Sequence, residues 1–254
     1  MRIKNEKELK ILREGGRRLA NIINIVSQIA APGIATEELD RRAEELILKQ
    51  GGQPAFKGYK TADAKIPYPF SLCVSVNDEI VHAFPSARIL KDGDIVSLDL
   101  GMRWEGLYTD AAVTVPVGNV GEKSVNLIKV TKNALALGIG AIKTAGRVGD
   151  IGFAVESYVK SKGFYVVKEL VGHGVGRQIH EEPQIPNWGK RGAGFLFEEG
   201  MVLALEPMVN IGTEKIKLAE DGWTWKTADG SRSAHFEHTV AVTKTGAEIL
   251  TAIL

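Results

Sequence analysis

IVSLDLGMRWEGLYTDAAVTVPV, residues 95–117, is the stretch that decides the fold class, and it also carries two of the chain's most telling carboxylates. Through residues 94–102 the pattern alternates, with Val96, Leu98 and Leu100 on one face and Ser97 and Asp99 on the other. That is the period of a strand with one buried face. A second strand-like run, YTDAAVTVPV, follows a loop at 103–106. A hairpin folded about that loop sets Asp99 opposite Asp110. Directly opposed residues hold their Cβ atoms about 4.5–5.5 Å apart, and like charges there are destabilising. A cation between the two aspartates reverses the sign of that interaction.

Three further residues extend the pattern: His173 in VGHGVG, Glu206 in VLALEPMV and Glu237 in SAHFEHTVAV. Four carboxylates gathered in one buried pocket would repel one another and carry a steep desolvation cost. Two divalent cations would offset four negative charges. The donor set therefore reads as a dinuclear, metal-dependent hydrolase.

Moving outward, residues 7–31 have helical period, with Leu9, Leu12, Leu19, Ile22, Ile23 and Val26 on one stripe and an exposed Gly15–Gly16 pair as a weak point. Pro32–Gly33 stops that helix. Thr36 is the expected N-cap of a second helix, which carries Leu39, Ala43, Leu46 and Ile47 and ends at Gly51–Gly52. A strand is expected at 71–76, helices at 123–143 and 150–161, and strands at 164–170, 201–209 and 235–242. Two helices then strands, twice over, predicts two structurally similar halves and an α+β fold, with helices covering one side of an antiparallel sheet. The carboxylates then belong to the other, concave side. No linker divides the chain, so residues 1–254 read as a single domain.

Bulk properties narrow the function. A net charge of +1 gives no basic field for DNA. One cysteine, Cys73, excludes an internal disulfide framework and suits a reducing compartment. The charged start MRIKNEKELK is no signal peptide, and no run approaches the roughly 20 apolar residues of a membrane span. The expectation is a cytoplasmic protein with no membrane partner. No spare apolar helix face stands out, so a monomer is expected.

The strings NDEIVHAFP, LDLG, YTD, GHGVGRQIHEEP, LEPMV and FEHTVAVT, in this order and over nearly the whole chain, resemble those of type I methionine aminopeptidases. GHGxGxxxHEEP together with EPM is the specific part. The resemblance implies the pita-bread (creatinase/aminopeptidase) fold: pseudo-two-fold halves with a curved antiparallel sheet backed by helices. It implies that Asp99 chelates one metal, that His173 and Glu206 hold the other, and that Asp110 and Glu237 bridge both. Glu206 is then the proton acceptor, His180 the partner of the substrate carbonyl, and His82 a neighbour of the scissile amide nitrogen. An oxygen-rich set with one imidazole suits Mn²⁺, Fe²⁺, Co²⁺ or Zn²⁺. A monovalent cation near Asn77 and Ser233, seen in relatives, is a further expectation.

The methionine side chain maps by resemblance onto Phe56, Tyr59, Tyr68, Cys73, Ile179 and Trp223. Here Ile179 and Phe56 depart from the residues usual in relatives, and the stretch 60–67 is longer. His238 falls on the opposite strand face from Glu237 and reads as structural. His235 shares the face of Glu237, where relatives often have glutamine, and stands either as a support for the site or as structural filling. Cys73 has no His/Asn partners of a thiol nucleophile and reads as pocket wall.

The resemblance implies removal of the initiator methionine from nascent polypeptides with a small second residue. Lys57, Lys60 and Lys65 near the pocket entrance read either as a plain solvated rim or as a face toward ribosomal RNA. Two alternatives are an Xaa-Pro aminopeptidase or dipeptidase of the same fold and a non-catalytic peptide-binding module. The first usually carries an extra N-terminal domain, and the second usually lacks some of the five ligands.

Overall fold

The structure is a computed structural model that describes residues 3–62 and 64–252. Met1, Arg2, Asp63, Ile253 and Leu254, which the sequence reading includes in the 1–254 domain, lie outside the described residues. A nine-stranded antiparallel sheet forms the centre. Its main path runs Gln53–Pro54, Ile95–Trp104, Leu107–Pro116, Glu237–Thr243, Val202–Leu205, Gly172–Gly174 and Glu181–Ile185. Leu72–Val76 also pairs with Ile95–Trp104, and Gly246–Ile249 with Glu237–Thr243.

Four helices cover one side of this sheet among the described residues. Helices α1 (Glu6–Ile29) and α2 (Thr36–Lys49) bury Leu19, Ile22, Ile23, Val26, Leu39 and Ile47 against Val74, Val96, Leu98, Leu100 and Ala111. Helices α3 (Glu122–Gly140) and α4 (Val148–Ser161) bury Leu127, Val130, Ala134, Val155 and Val159 against Leu203, Leu205, Val240 and Val242. The expected doubling of helix, helix and strands is therefore the architecture observed. On each central strand the residues of one parity feed these helix-facing cores. The other parity, including Asp99, Asp110 and Glu237, faces away from them.

Several local expectations are corrected. The hairpin register is shifted by two: Asp99 pairs with Ala112, and Asp110 pairs with Gly101. The cause is a tight two-residue turn. Glu105 and Gly106 both have positive φ, +46° and +86°, which is the geometry of the turns that match strand twist. A shift of two keeps face parity, so both aspartates still share the helix-free face, diagonally and not directly opposed.

Gly15 and Gly16 are buried, not exposed. A Cβ on Gly16 would sit 2.7 Å from the carbonyl carbon of Leu250, so the glycine admits the C-terminal chain against α1. The α2 N-cap is Ala35 and makes no side-chain cap. Thr36 is the first helical residue, and its hydroxyl donates to the Ser86 carbonyl at 3.0 Å.

The 164–170 run forms a strand only at Tyr165–Val166. The 201–209 and 235–242 runs each break in two, at Glu206–Pro207 and at Phe236. Pro207 cannot donate to a ladder, which accounts for the first break.

Candidate metal centre

The helix-free face is built on small residues. Cys73, Asp99, Ala112 and Glu237 form one cross-strand row. Beside Asp110, the strand partner is Gly101. His173 pairs with Ala204, which pairs with Thr239, whose hydroxyl donates to the Asp110 carbonyl at 2.8 Å. Alanine and glycine between the functional residues leave the space above the sheet open, and longer side chains from neighbouring strands can lean together there. Glu206 joins from the break after Val202–Leu205.

Side-chain donor atoms of Asp99, Asp110 and Glu237 lie within 4.8 Å of one another, as do those of His173, Glu206 and Glu237. Glu237 belongs to both groups. Asp110, His173 and His180 make a third group at the same separation, an association that sequence reasoning did not anticipate for His180.

The ring of His173 is oriented by its own strand. Its Nδ1 lies 2.9 Å from the Gly174 carbonyl, so Nδ1–H donates there and Nε2, 3.4 Å from Glu206 Oε1, is left with its lone pair free. A histidine held through one nitrogen presents the other as a metal ligand.

Whether a cation fits can be judged from atoms left without partners. Asp99 Oδ1 and Glu237 Oε1 are buried and accept no hydrogen bond. Buried polar atoms are nearly always paired, and a lone carboxylate oxygen is expensive to bury. Burial, and then the neighbouring charge of Asp110, pushes Asp99 well above the usual carboxylate range. Burial does the same to Glu206 and Glu237, reinforced by the neighbouring acids. Burial carries Asp110 up to about 7, against the Ala111 N–H that favours its ionised form. All four carboxylates are thus held in a setting that resists their charge, and positive charge between them resolves the conflict. The donors present fit divalent cations.

The surrounding cavity is about 740 Å³ and is lined in part by Phe56, Tyr59, Tyr68, His82, His180 and Trp223. Tyr68 meets Trp223 edge to face at 5.3 Å, and Tyr59 meets His180 at 4.8 Å. The Trp223 indole donates to the Ile66 carbonyl at 3.1 Å, which ties the long 60–67 stretch to the opposite wall. Cys73 and Ile179 are buried in the same apolar cluster but do not line the cavity. Ile179 fills the space over Gly101, where a Cβ would meet it at 3.1 Å.

Burial lowers His82 and His180 to about 4, so both rings are neutral at neutral pH. The His180 and His173 rings meet edge to face at 4.4 Å. His82 has φ +60°, a left-handed backbone unusual for a side chain of this size and a mark of a constrained site.

His235 is buried, and neither of its ring nitrogens has a hydrogen-bond partner. Its Nε2 lies 3.8 Å from Glu206 Oε2. His238 instead turns to Thr251, at 3.0 Å. The cavity wall also includes Leu218, Trp225 and Val81, which sequence reasoning missed. They come from a small sheet of three-residue strands, too short for any periodicity to show.

A model of the metallopeptidase family M24 matches residues 10–244. The methionine aminopeptidase of Clostridium perfringens is 46% identical over 251 residues, which is 99% of this chain and 98% of that one. Methionine aminopeptidase 1 of Bacillus subtilis is 46% identical over 250 residues, 98% of both chains. The crystal structure of a methionine aminopeptidase from Thermotoga maritima superposes with a TM-score of 0.95, at 43% identity and full coverage of both chains.

Proposed function

We propose, from the premise that this chain belongs to metallopeptidase family M24, that it removes N-terminal methionine with two divalent cations held by Asp99, Asp110, His173, Glu206 and Glu237. The chain is a metal-dependent methionine aminopeptidase. Two ions and their division among the ligands are our reading. Asp99 would hold one ion, His173 and Glu206 the other, and Asp110 and Glu237 would serve both. The observation that carries this is the pair of overlapping donor groups that share Glu237, with buried oxygens of Asp99 and Glu237 left unpartnered. Mn²⁺, Fe²⁺, Co²⁺ and Zn²⁺ all suit four carboxylates and one imidazole. Bound there, such ions supply Lewis acidity, making water more acidic and polarising a carbonyl.

The remaining work falls to the chain's own side chains. Glu206 accepts the proton of the attacking water at its carboxylate. His180 donates an N–H to the substrate carbonyl oxygen as negative charge develops there. His82 stands beside the scissile amide nitrogen. His235 stands beside the Glu206 carboxylate, its Nε2 3.8 Å from Oε2, as a neighbour and not a hydrogen-bond partner. Phe56, Tyr59, Tyr68 and Trp223 take the thioether side chain, a contact of sulfur with aromatic edges worth about 0.3–1.5 kcal/mol, with Cys73 and Ile179 backing them.

We further assign the chain to nascent polypeptides with small second residues, acting as one catalytic domain and a monomer in the cytoplasm. No helix among the described residues is long and apolar enough to cross a membrane. Of the three lysines at the rim, Lys57 is paired with Glu44 at 2.8 Å, which leaves Lys60 and Lys65 as the ones proposed to face the ribosome. A monovalent cation near Asn77 and Ser233 is also proposed. The Ser233 N–H donates to the Asn77 carbonyl at 2.8 Å, so that carbonyl would be shared.

The test is release of methionine from Met-Ala-Ser and Met-Leu-Ser and of alanine from Ala-Pro-Ala. The metal-loaded protein should cleave Met-Ala-Ser and spare the others. Preferential cleavage of Ala-Pro-Ala would overturn the assignment.

A further inference from the structure

Lys4 is a charged residue that the reaction does not call for, and its side chain is only 2% exposed. Its ammonium donates to Glu181 Oε2 at 2.7 Å. Glu181 directly follows His180. The other oxygen of Glu181 accepts the backbone N–H of Gln178 at 3.0 Å and that of Arg177. One carboxylate therefore closes the loop between Gly172–Gly174 and Glu181–Ile185 into a ring, and that loop delivers His180 to the cavity. The aliphatic part of Lys4 lies over Gly176, the first turn of the same loop, and its backbone N–H donates to the Gly200 carbonyl at 2.8 Å. A parallel tie joins Arg177 to Glu8 of α1, at 2.7 and 2.9 Å.

His180 itself has no side-chain hydrogen bond among the described residues, only ring contacts with Tyr59 and His173. The backbone of its loop thus sets where its ring stands. A buried ion pair is weak evidence for net stability, because desolvation cancels most of its attraction. It does impose geometry. Without Lys4, the buried Oε2 loses its counter-charge and the carboxylate gains by turning to water. The two N–H bonds that close the loop are then lost.

We infer that Lys4, in the segment preceding α1, is a positioning residue for the reaction: through Glu181 it fixes the loop that presents His180 to the substrate carbonyl. The inference rests on the role given to His180 above. Phe56, Tyr59, Tyr68 and Trp223, which line the methionine pocket, come from other segments, and only Ile179, which backs them, lies in this loop, so the effect should fall on kcat and leave KM nearly unchanged.

The experiment is steady-state hydrolysis of Met-Ala-Ser by the metal-loaded full chain bearing Lys4→Met or Lys4→Arg, each alone and combined with His180→Ala. Lys4→Met should lower kcat about tenfold with KM within about threefold, and Lys4→Arg should recover most of the loss. In the His180→Ala background Lys4→Met should change kcat by less than about twofold, since residues acting through one group are not additive. Unchanged kcat in Lys4→Met, or an equal factor in both backgrounds, overturns the inference. Full activity of His180→Ala would remove His180 from the reaction and this inference with it; impaired His180→Ala with additive Lys4→Met removes Lys4 alone. If Lys4→Met does not fold by circular dichroism, Glu181→Gln is read in the same way, because it keeps the loop acceptor and deletes only the pairing charge.

Discussion

Replacing Glu237 by glutamine should stabilise the metal-free protein while crippling the metal-loaded one. Glu237 lies within 4.8 Å of Asp99 and Asp110 on one side, and of Glu206 and His173 on the other. Two carboxylates at that separation repel by about 3 kcal/mol at an effective dielectric constant near 20. The carboxamide removes one charge from the cluster but brings N–H donors that must find partners. Asp99 and Asp110 are near enough to supply acceptors. The net gain in stripped protein should be about 1–2 kcal/mol, or roughly 3–6 °C in Tm for a chain of this size. A doubly charged ion loses more than the carboxylates gain. Even about 3 kcal/mol of lost attraction weakens it roughly 100-fold, and kcat/KM should fall by about three orders of magnitude. Thermal scans in EDTA and calorimetric titration with Mn²⁺ read the two effects separately. A Tm lowered in EDTA, with Mn²⁺ affinity within about threefold of the parent, would refute the reasoning and make Glu237 an ordinary structural acid.

Three other outcomes are expected. Gly16→Ala should cost about 2–3 kcal/mol in urea unfolding, because its Cβ meets the backbone of Leu250 and not a side chain that can swing away; an unchanged midpoint would deny that close approach. Phe56→Ala should raise KM for Met-Ala-Ser by about 10- to 150-fold with kcat nearly constant, from about 1.5–3 kcal/mol of lost apolar contact; a fall in kcat alone would move Phe56 out of the pocket. Stability should also respond to acid. The Arg177 guanidinium holds Glu8 below the usual carboxylate range, overcoming burial. For Glu181, burial alone would raise the pKa, but the Lys4 ammonium and the Gln178 and Arg177 N–H groups bring it below the usual range. Groups with depressed native pKa contribute stability above their unfolded pKa and lose it as pH falls through the native one. The stability gap between the parent and Glu8→Gln should therefore be full at pH 6 and shrink below pH 4; a gap that widens on acidification would contradict the pairing.

The five ligand candidates were legible because each stands in a short motif whose residue types survive any reading of the turns between them. The hairpin register was not. It depends on whether the chain reverses over four residues or two, and Glu105 taking a positive φ beside Gly106 is not written in the alternation of the strands. The error was harmless to the site because a slip of two preserves the face, whereas a slip of one would have set the two aspartates on opposite faces of the sheet.

The Gly15–Gly16 pair misled because a helical wheel cannot show that the C-terminal chain crosses α1 there. Pairings remote in sequence are hidden for the same reason. Lys4 and Glu181 meet across 177 positions, and nothing local marks a lysine at the second position of the described chain as buried. Cys73 and Ile179 point to the other blind spot. Composition identifies an apolar pocket, but which of its residues touch the cavity and which back them depends on backbone curvature.

Calorimetric titration of metal-stripped protein with Mn²⁺, paired with methionine release from Met-Ala-Ser at each addition, tests the account most directly. Two ions should bind per chain, and activity should appear only as they do. Saturation at one ion, or full activity in EDTA, would contradict a site in which Asp99, Asp110, His173, Glu206 and Glu237 act together on two cations.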